Sequence, residues 1–228
     1  SYIAFFHHPI WHEADGIYYL NYGRAILEGS GNDVQIANGQ IGAPILFAFL
    51  DSIFHDAFSI QKIIAILGGC GIVLSSFFIT KNIFNYKVAI LTQLFIAFNP
   101  ILHYVSIQAL NELLPVFIIF TSLYFITKPE LRFFDYLIIG LLLGLSSIFR
   151  LQAILVLFPI LIFILLRNKK IAKNALNVLI VGIFFLLAFS PQILYNYSTH
   201  GVILDTMPNY YIGNVYTFQN PDWHNEIF

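Results

Sequence analysis

Apolar stretches of similar length, separated by short polar breaks, set the rhythm of this chain. Residues 63–80, 88–105, 113–127, 134–149, 151–166 and 175–195 are almost continuously apolar. The hydrocarbon core of a bilayer takes roughly 17–25 helical residues to cross, so the pattern predicts six membrane-spanning helices, several near the short limit. A further apolar segment, 41–54, is shorter and carries Pro44 and Asp51. It is expected to form a helix lying in, or dipping into, the interface. The predicted fold class is an all-α, polytopic helical membrane protein with about six to seven spans.

Charge gives the spans a direction. Six alternating spans put Lys81, Lys87, Lys128, Arg132, Arg167, Lys169, Lys170 and Lys173 on one side, eight of the eleven basic residues. Loops rich in Lys and Arg stay in the cytoplasm, so that side is expected to be cytoplasmic. The opposite side collects three polar regions: residues 1–61, the turn around 103–112, and the tail from Ser190 onward. Arg150 divides the apolar run 134–166. One long helix there would leave a guanidinium deep in hydrocarbon, at a cost of several kcal/mol. A tight turn near the outer surface is the better reading.

Composition agrees. Hydrophobic residues make up 58% of the chain and charged residues 10%, against about 25% charged in an ordinary soluble domain. A net charge of −1 gives no footing for a nucleic-acid partner. The single cysteine, Cys70, excludes a disulfide framework and a Cys-based metal site. The chain starts at Ser1 and stops within a polar, aromatic stretch, so it is expected to be a piece of a longer protein. Three parts are expected: 1–61, a first outer loop with interfacial helices; 62–197, a transmembrane bundle; and 198–228, the start of another outer loop.

Candidate chemistry lies on the outer side. Asp15 stands near the start of a helical pattern that Gly29 closes, with Ile17, Leu20, Arg24 and Leu27 on one face. It is an N-cap that accepts backbone N–H bonds, a proton acceptor, or both. Arg150 is a phosphate-binding guanidinium or a cation snorkelling to the interface. Glu112 orients a substrate, holds a metal, or is an acid favoured at a helix N-terminus. His7, His8 and His12 cluster with Glu13 and Asp15, but their spacing matches no zinc motif, and no metal ligand is assigned.

Asp15, Tyr19, Gly23, Leu27 and Gly29 resemble the D-x-x-x-Y-x-x-x-(A/G)-x-x-x-L-x-G signature of GT-C-type membrane glycosyltransferases, among them protein O-mannosyltransferases and aminoarabinose transferases. Many relatives carry a second acid after the Asp, where this chain has Gly16. The resemblance continues in order through Gly42-Ala43-Pro44, Asn99-Pro100 with Glu112, the stretch Gly140 to Arg150, and Pro191 with Asn196-Tyr197; Tyr195 stands where many relatives have Arg. It implies a first span upstream of the signature. It also implies transfer of a hexose or pentose from a polyprenyl- or dolichyl-phosphate donor to a protein, lipid or glycan acceptor on the extracytoplasmic side, most simply at the cell membrane. In that scheme Asp15 is the general base, and Arg150 contacts the donor phosphate with Lys62 and Arg24 in support. Glu112, Tyr19, Asn196, Tyr197 and His200 orient the substrates. No cofactor is required by the scheme, and a divalent metal stays an alternative. A transporter and a non-catalytic membrane scaffold are the competing readings.

Overall fold

A computed structural model describes residues 13–29, 40–107, 112–167, 171–201 and 203. All regular structure among them is helical: α1 Glu13–Leu27, α2 Gly42–Phe54, α3 Ala57–Ile83, α4 Tyr86–Ala97, α5 Pro100–Ser106, α6 Leu113–Ile126, α7 Phe133–Phe149, a 3-10 turn Leu151–Ala153, α8 Ile154–Leu166 and α9 Ile171–His200. Helices α3, α4, α6, α7, α8 and α9 form a layered bundle. Within it α4 packs on α3, α3 on α6, α6 on α7, α7 on α9 and α9 on α8. The α1–α2 pair leans on α3 and α7.

Local sequence sets the helix ends. Asp56 caps α3 by accepting from the Ser59 N–H at 3.1 Å, and Asn85 caps α4 by accepting from Val88 at 3.0 Å. The Asp135 carboxylate accepts from the Arg132 N–H at 2.8 Å at the start of α7. The expected span 88–105 is broken instead, with α4 and α5 meeting at 57°. Asn99 and Pro100 are the cause. Asn99 Oδ1 accepts from Ile101 and Leu102 at 2.9 and 3.2 Å, starting a new helix, and proline takes its first position.

Among the described residues, two helices are long and apolar enough to cross a membrane alone, over Ser59–Ile83 and Ala172–Ser198, and a third crossing results if the bent pair is one span. The remaining apolar helices keep close to the expected bounds 113–127, 134–149 and 151–166 but stay at 10–17 residues, short for a crossing. The 14 residues of α6 reach only about 21 Å, because Glu112 and Thr127-Lys128 bring polar chain to both ends. α9 runs further than the expected 175–195, from Ile171 to His200, so residues 198–200, expected to open an outer loop, are helical.

The interior is apolar and tight around Ile139, Leu143, Ile164, Val181, Phe185 and Phe189. Gly140 and Gly144 face α9 so closely that a Cβ on Gly140 would lie 2.5 Å from the Val181 carbonyl, and one on Gly144 would meet the Phe185 carbonyl and Ala188. Small residues four apart let helix backbones approach within a bilayer. Leu67, Phe95, Phe158, Ile162, Leu186 and Leu194 are exposed on the outside of the bundle, which suits contact with lipid.

Polar groups gather at the two ends. One end joins Asn82 to Thr127 at 3.3 Å, Lys128 to Asp135 at 2.8 Å and Arg167 to the Ile126 carbonyl at 2.9 Å. The other end brings together α1, α2, the starts of α3 and α6, Arg150, and the last turns of α9. Helix directions alternate between these ends as the charge pattern requires. Arg150 sits at a break between helices in extended conformation (φ −145°, ψ 111°), as its charge demanded.

Candidate functional site

The α1–α2 pair forms one wall. The chain is already helical at Glu13, so Asp15 lies inside the first described turn and not at an N-cap; its side chain lies outside the described residues. Gly29, at φ +78°, closes α1, where the left-handed conformation favours glycine. Gly23 lies directly against the Pro44 carbonyl, with no room for a Cβ. Tyr19 is buried with its ring centroid 6.4 Å from that of Phe47. The regular spacing of the signature therefore has a packing basis. Tyr19 and Gly23 seat α1 on α2, and the same helix carries Asp15 one turn earlier.

Arg24 is ion-paired with Asp51 on α2. That pairing ties the two helices together and occupies the guanidinium expected to support a donor phosphate. The Tyr22 and Tyr195 hydroxyls share a hydrogen bond that links α1 to α9.

The start of α3 forms the second wall. Gln61 Nε2 donates to the Gly16 carbonyl at 3.0 Å, one residue from Asp15. Gln61 and Lys62 are both 2% exposed, so an amide against the first turn of α1 and the lysine that follows it in α3 are both held away from bulk water.

Arg150 and Glu112 make the third wall, where α6 begins and α7 ends. Glu112 stands at the N-cap of α6 but makes no capping bond; its carboxylate pairs with the Arg150 guanidinium. The Arg150 Nε is buried and without a hydrogen-bond partner among the described residues. Both residues border a cavity of about 250 Å³ between α6 and α8. Its polar rim is Glu112, Arg150 and Gln152, and its walls are Val116, Ile119 and Val156. From Glu112 to Ile119 the wall descends roughly 10 Å along α6. A larger cavity of about 650 Å³ lies between α3 and the bent α4–α5 pair, mostly apolar, with Gln93 and His103 in its lining.

The last turns of α9 hold the arrangement together. Gln192 Oε1 accepts from the Ile41 N–H at 3.0 Å, Gln192 Nε2 donates to Asn196 Oδ1 at 2.8 Å, and Asn196 Nδ2 donates to the Ile203 carbonyl at 3.2 Å. Asn196, expected to orient substrate, is 2% exposed and bonded to Gln192 and the Ile203 carbonyl. Tyr197 is exposed. The side chain of His200 lies outside the described residues, as do His7, His8 and His12.

The structure thus places the Asp15 turn, Lys62, Glu112 and Arg150 at one end of the bundle. Arg24, Tyr19 and Asn196 make packing and anchoring contacts there. Gln61 and Gln192 were missed by sequence reasoning; an amide at the polar start or finish of an apolar helix is the signal that marks them.

The family model for dolichyl-phosphate-mannose-protein mannosyltransferase matches residues 41–195. No curated protein and no solved structure matches. The matched range covers the bundle, including Lys62, Glu112 and Arg150, and begins after the turn that carries Asp15. The chain belongs to the dolichyl-phosphate-mannose-protein mannosyltransferase family, whose members are glycosyltransferases of the GT-C type.

Proposed function

We propose that this chain carries the transfer site of an integral membrane enzyme that moves a sugar from a polyprenyl-phosphate donor to a hydroxyl or similar nucleophile. The carrying observation is the pairing of Arg150, with its orphaned buried Nε, and a cavity whose rim is charged and whose walls are apolar. A lipid phosphate has the same polarity, an anion on a hydrocarbon chain. Arg150 binds the phosphate oxygens, displacing the Glu112 carboxylate, and the first isoprene units lie along Val116, Ile119 and Val156. Lys62 adds positive charge from α3.

The chemistry is a substitution at the anomeric carbon. The acceptor oxygen forms the new bond as the bond from that carbon to the phosphate oxygen breaks, and the electron pair leaves with the phosphate. Asp15 takes the acceptor's proton, a role that contributes about 10²–10⁴-fold. Arg150 and Lys62 stabilise the charge that develops on the leaving phosphate. The concentration of Lys and Arg at the opposite end of the bundle supports an extracytoplasmic site.

Arg150→Ala tests the reading. In the full-length enzyme it should raise the donor KM and lower kcat/KM for donor by about 100-fold, with the acceptor KM little changed. Equal losses for both substrates would make Arg150 a structural residue and contradict the proposal.

A further inference from the structure

The unfilled hydrogen-bonding capacity at this end has two complementary parts. Arg150 Nε is a buried donor without a partner among the described residues, and Gln61 Oε1 is a buried acceptor without one. The orientation of the Gln61 amide is set by chemistry. Its nitrogen faces the Gly16 carbonyl at 3.0 Å, and the reverse orientation would press two carbonyl oxygens together. Oε1 is therefore not the atom that faces the Gly16 carbonyl, and it is left open among the described residues. Buried carbonyl oxygens in proteins are nearly always paired, and Gln61 is only 2% exposed.

Position narrows what Oε1 accepts from. Gly16 follows Asp15, the assigned base, and Lys62 follows Gln61 and is assigned to the phosphate side. Between a base for the incoming nucleophile and a cation for the leaving phosphate lies the transferred sugar. Ammonium and guanidinium groups can only donate, so they cannot pair with a hydroxyl's hydrogen. A neutral amide oxygen can, without competing for the proton that Asp15 removes.

We propose that Gln61 reads the transferred sugar: Oε1 accepts a hydrogen bond from one of its ring hydroxyls while Nε2 holds the first turn of α1 in place. The inference rests on the transfer reading above and adds a specificity residue to it.

The test uses the full-length protein in lipid vesicles with dolichyl-phosphate mannose and its series of monodeoxy analogues as donors. The wild type should lose about tenfold in kcat/KM on one analogue, one hydrogen bond's worth. Gln61→Met keeps the length of the side chain but removes the acceptor. It should lose about tenfold on the parent donor, lose nothing further on that analogue, and keep the wild-type ratios for the others. Gln61→Glu keeps an acceptor oxygen and should retain the wild-type preference. A uniform loss on every donor by Gln61→Met would overturn the inference, leaving only the clamp on α1. So would loss of the preference in Gln61→Glu, which decides the matter if Gln61→Met does not fold. A wild type that distinguishes none of the analogues overturns it too. Complete absence of transfer from lipid-phosphate sugars by the wild type is a different result, since it removes the transfer reading itself.

Discussion

The two ends of the bundle differ in how completely their polar groups are paired. At the basic end, Arg167 donates to the carbonyls of Ile126, Lys128 and Pro129 at 2.9, 2.5 and 2.9 Å. Lys128 pairs with Asp135 at 2.8 Å and lies over the Phe125 ring at 4.2 Å, and Asn174 donates to the Leu165 carbonyl at 2.9 Å. Each of these donors is matched to helix-end carbonyls or to an acid beside it. At the other end, an arginine nitrogen and a glutamine oxygen are buried without partners among the described residues. Leaving a buried polar atom unpaired costs about 1–3 kcal/mol. These two atoms are the open hydrogen-bonding capacity on which the proposed site rests.

This contrast sets the expected effects of substitution. The largest concerns stability. Arg167→Met removes the donor from three helix-end carbonyls and should destabilise the protein by about 2 kcal/mol. Thermal unfolding in detergent would show the loss, and turnover per folded molecule should not change. A fall in turnover without a fall in melting temperature would blur the division between the ends. A smaller effect is expected for Glu112→Gln. The Glu112 side chain is 42% exposed and that of Arg150 26%, so their pair is weak. Removing the carboxylate that competes with the phosphate should lower the donor KM by about 2–5-fold. A raised KM would mean that Glu112 holds Arg150 in its working position.

The smallest effect comes from pH at the start of α3. The side-chain and backbone hydrogen bonds from Ser59 hold the Asp56 carboxyl below its ordinary value. A depressed folded-state pKa gives stability that is present above the unfolded value and lost as pH falls through the folded one. Hydrogen exchange in the first turn of α3 should therefore accelerate below the usual carboxylate range. Asp56→Asn, which still caps but does not titrate there, should flatten that response.

Much of this was legible in the sequence, for identifiable reasons. Apolar run length and the cost of a buried guanidinium located the helices and the break at Arg150, because both depend on the chain itself and its solvent. The packing role of Tyr19 and Gly23 was present in their four-residue spacing, although the spacing alone did not separate packing from chemistry. The bend at Asn99-Pro100 was hidden by an apolar stretch that looks continuous to any average over its length. The extension of α9 beyond 195 to His200 was hidden too. Gln192 and Asn196, four apart, bind each other, and Gln192 also binds the chain before α2, a contact that bridges residues 151 positions apart. The partners of Gln61, Arg24 and Glu112 are tertiary in the same sense. Sequence shows that such residues need partners and leaves the choice to packing.

The central claim is that chemistry belongs to the open end, and Asp15 tests it most directly. In the full-length enzyme, single-turnover transfer from a lipid-phosphate sugar should fall by about 10²–10⁴-fold in Asp15→Asn, with membrane insertion and donor binding intact. Transfer at the wild-type rate by that variant would contradict the account.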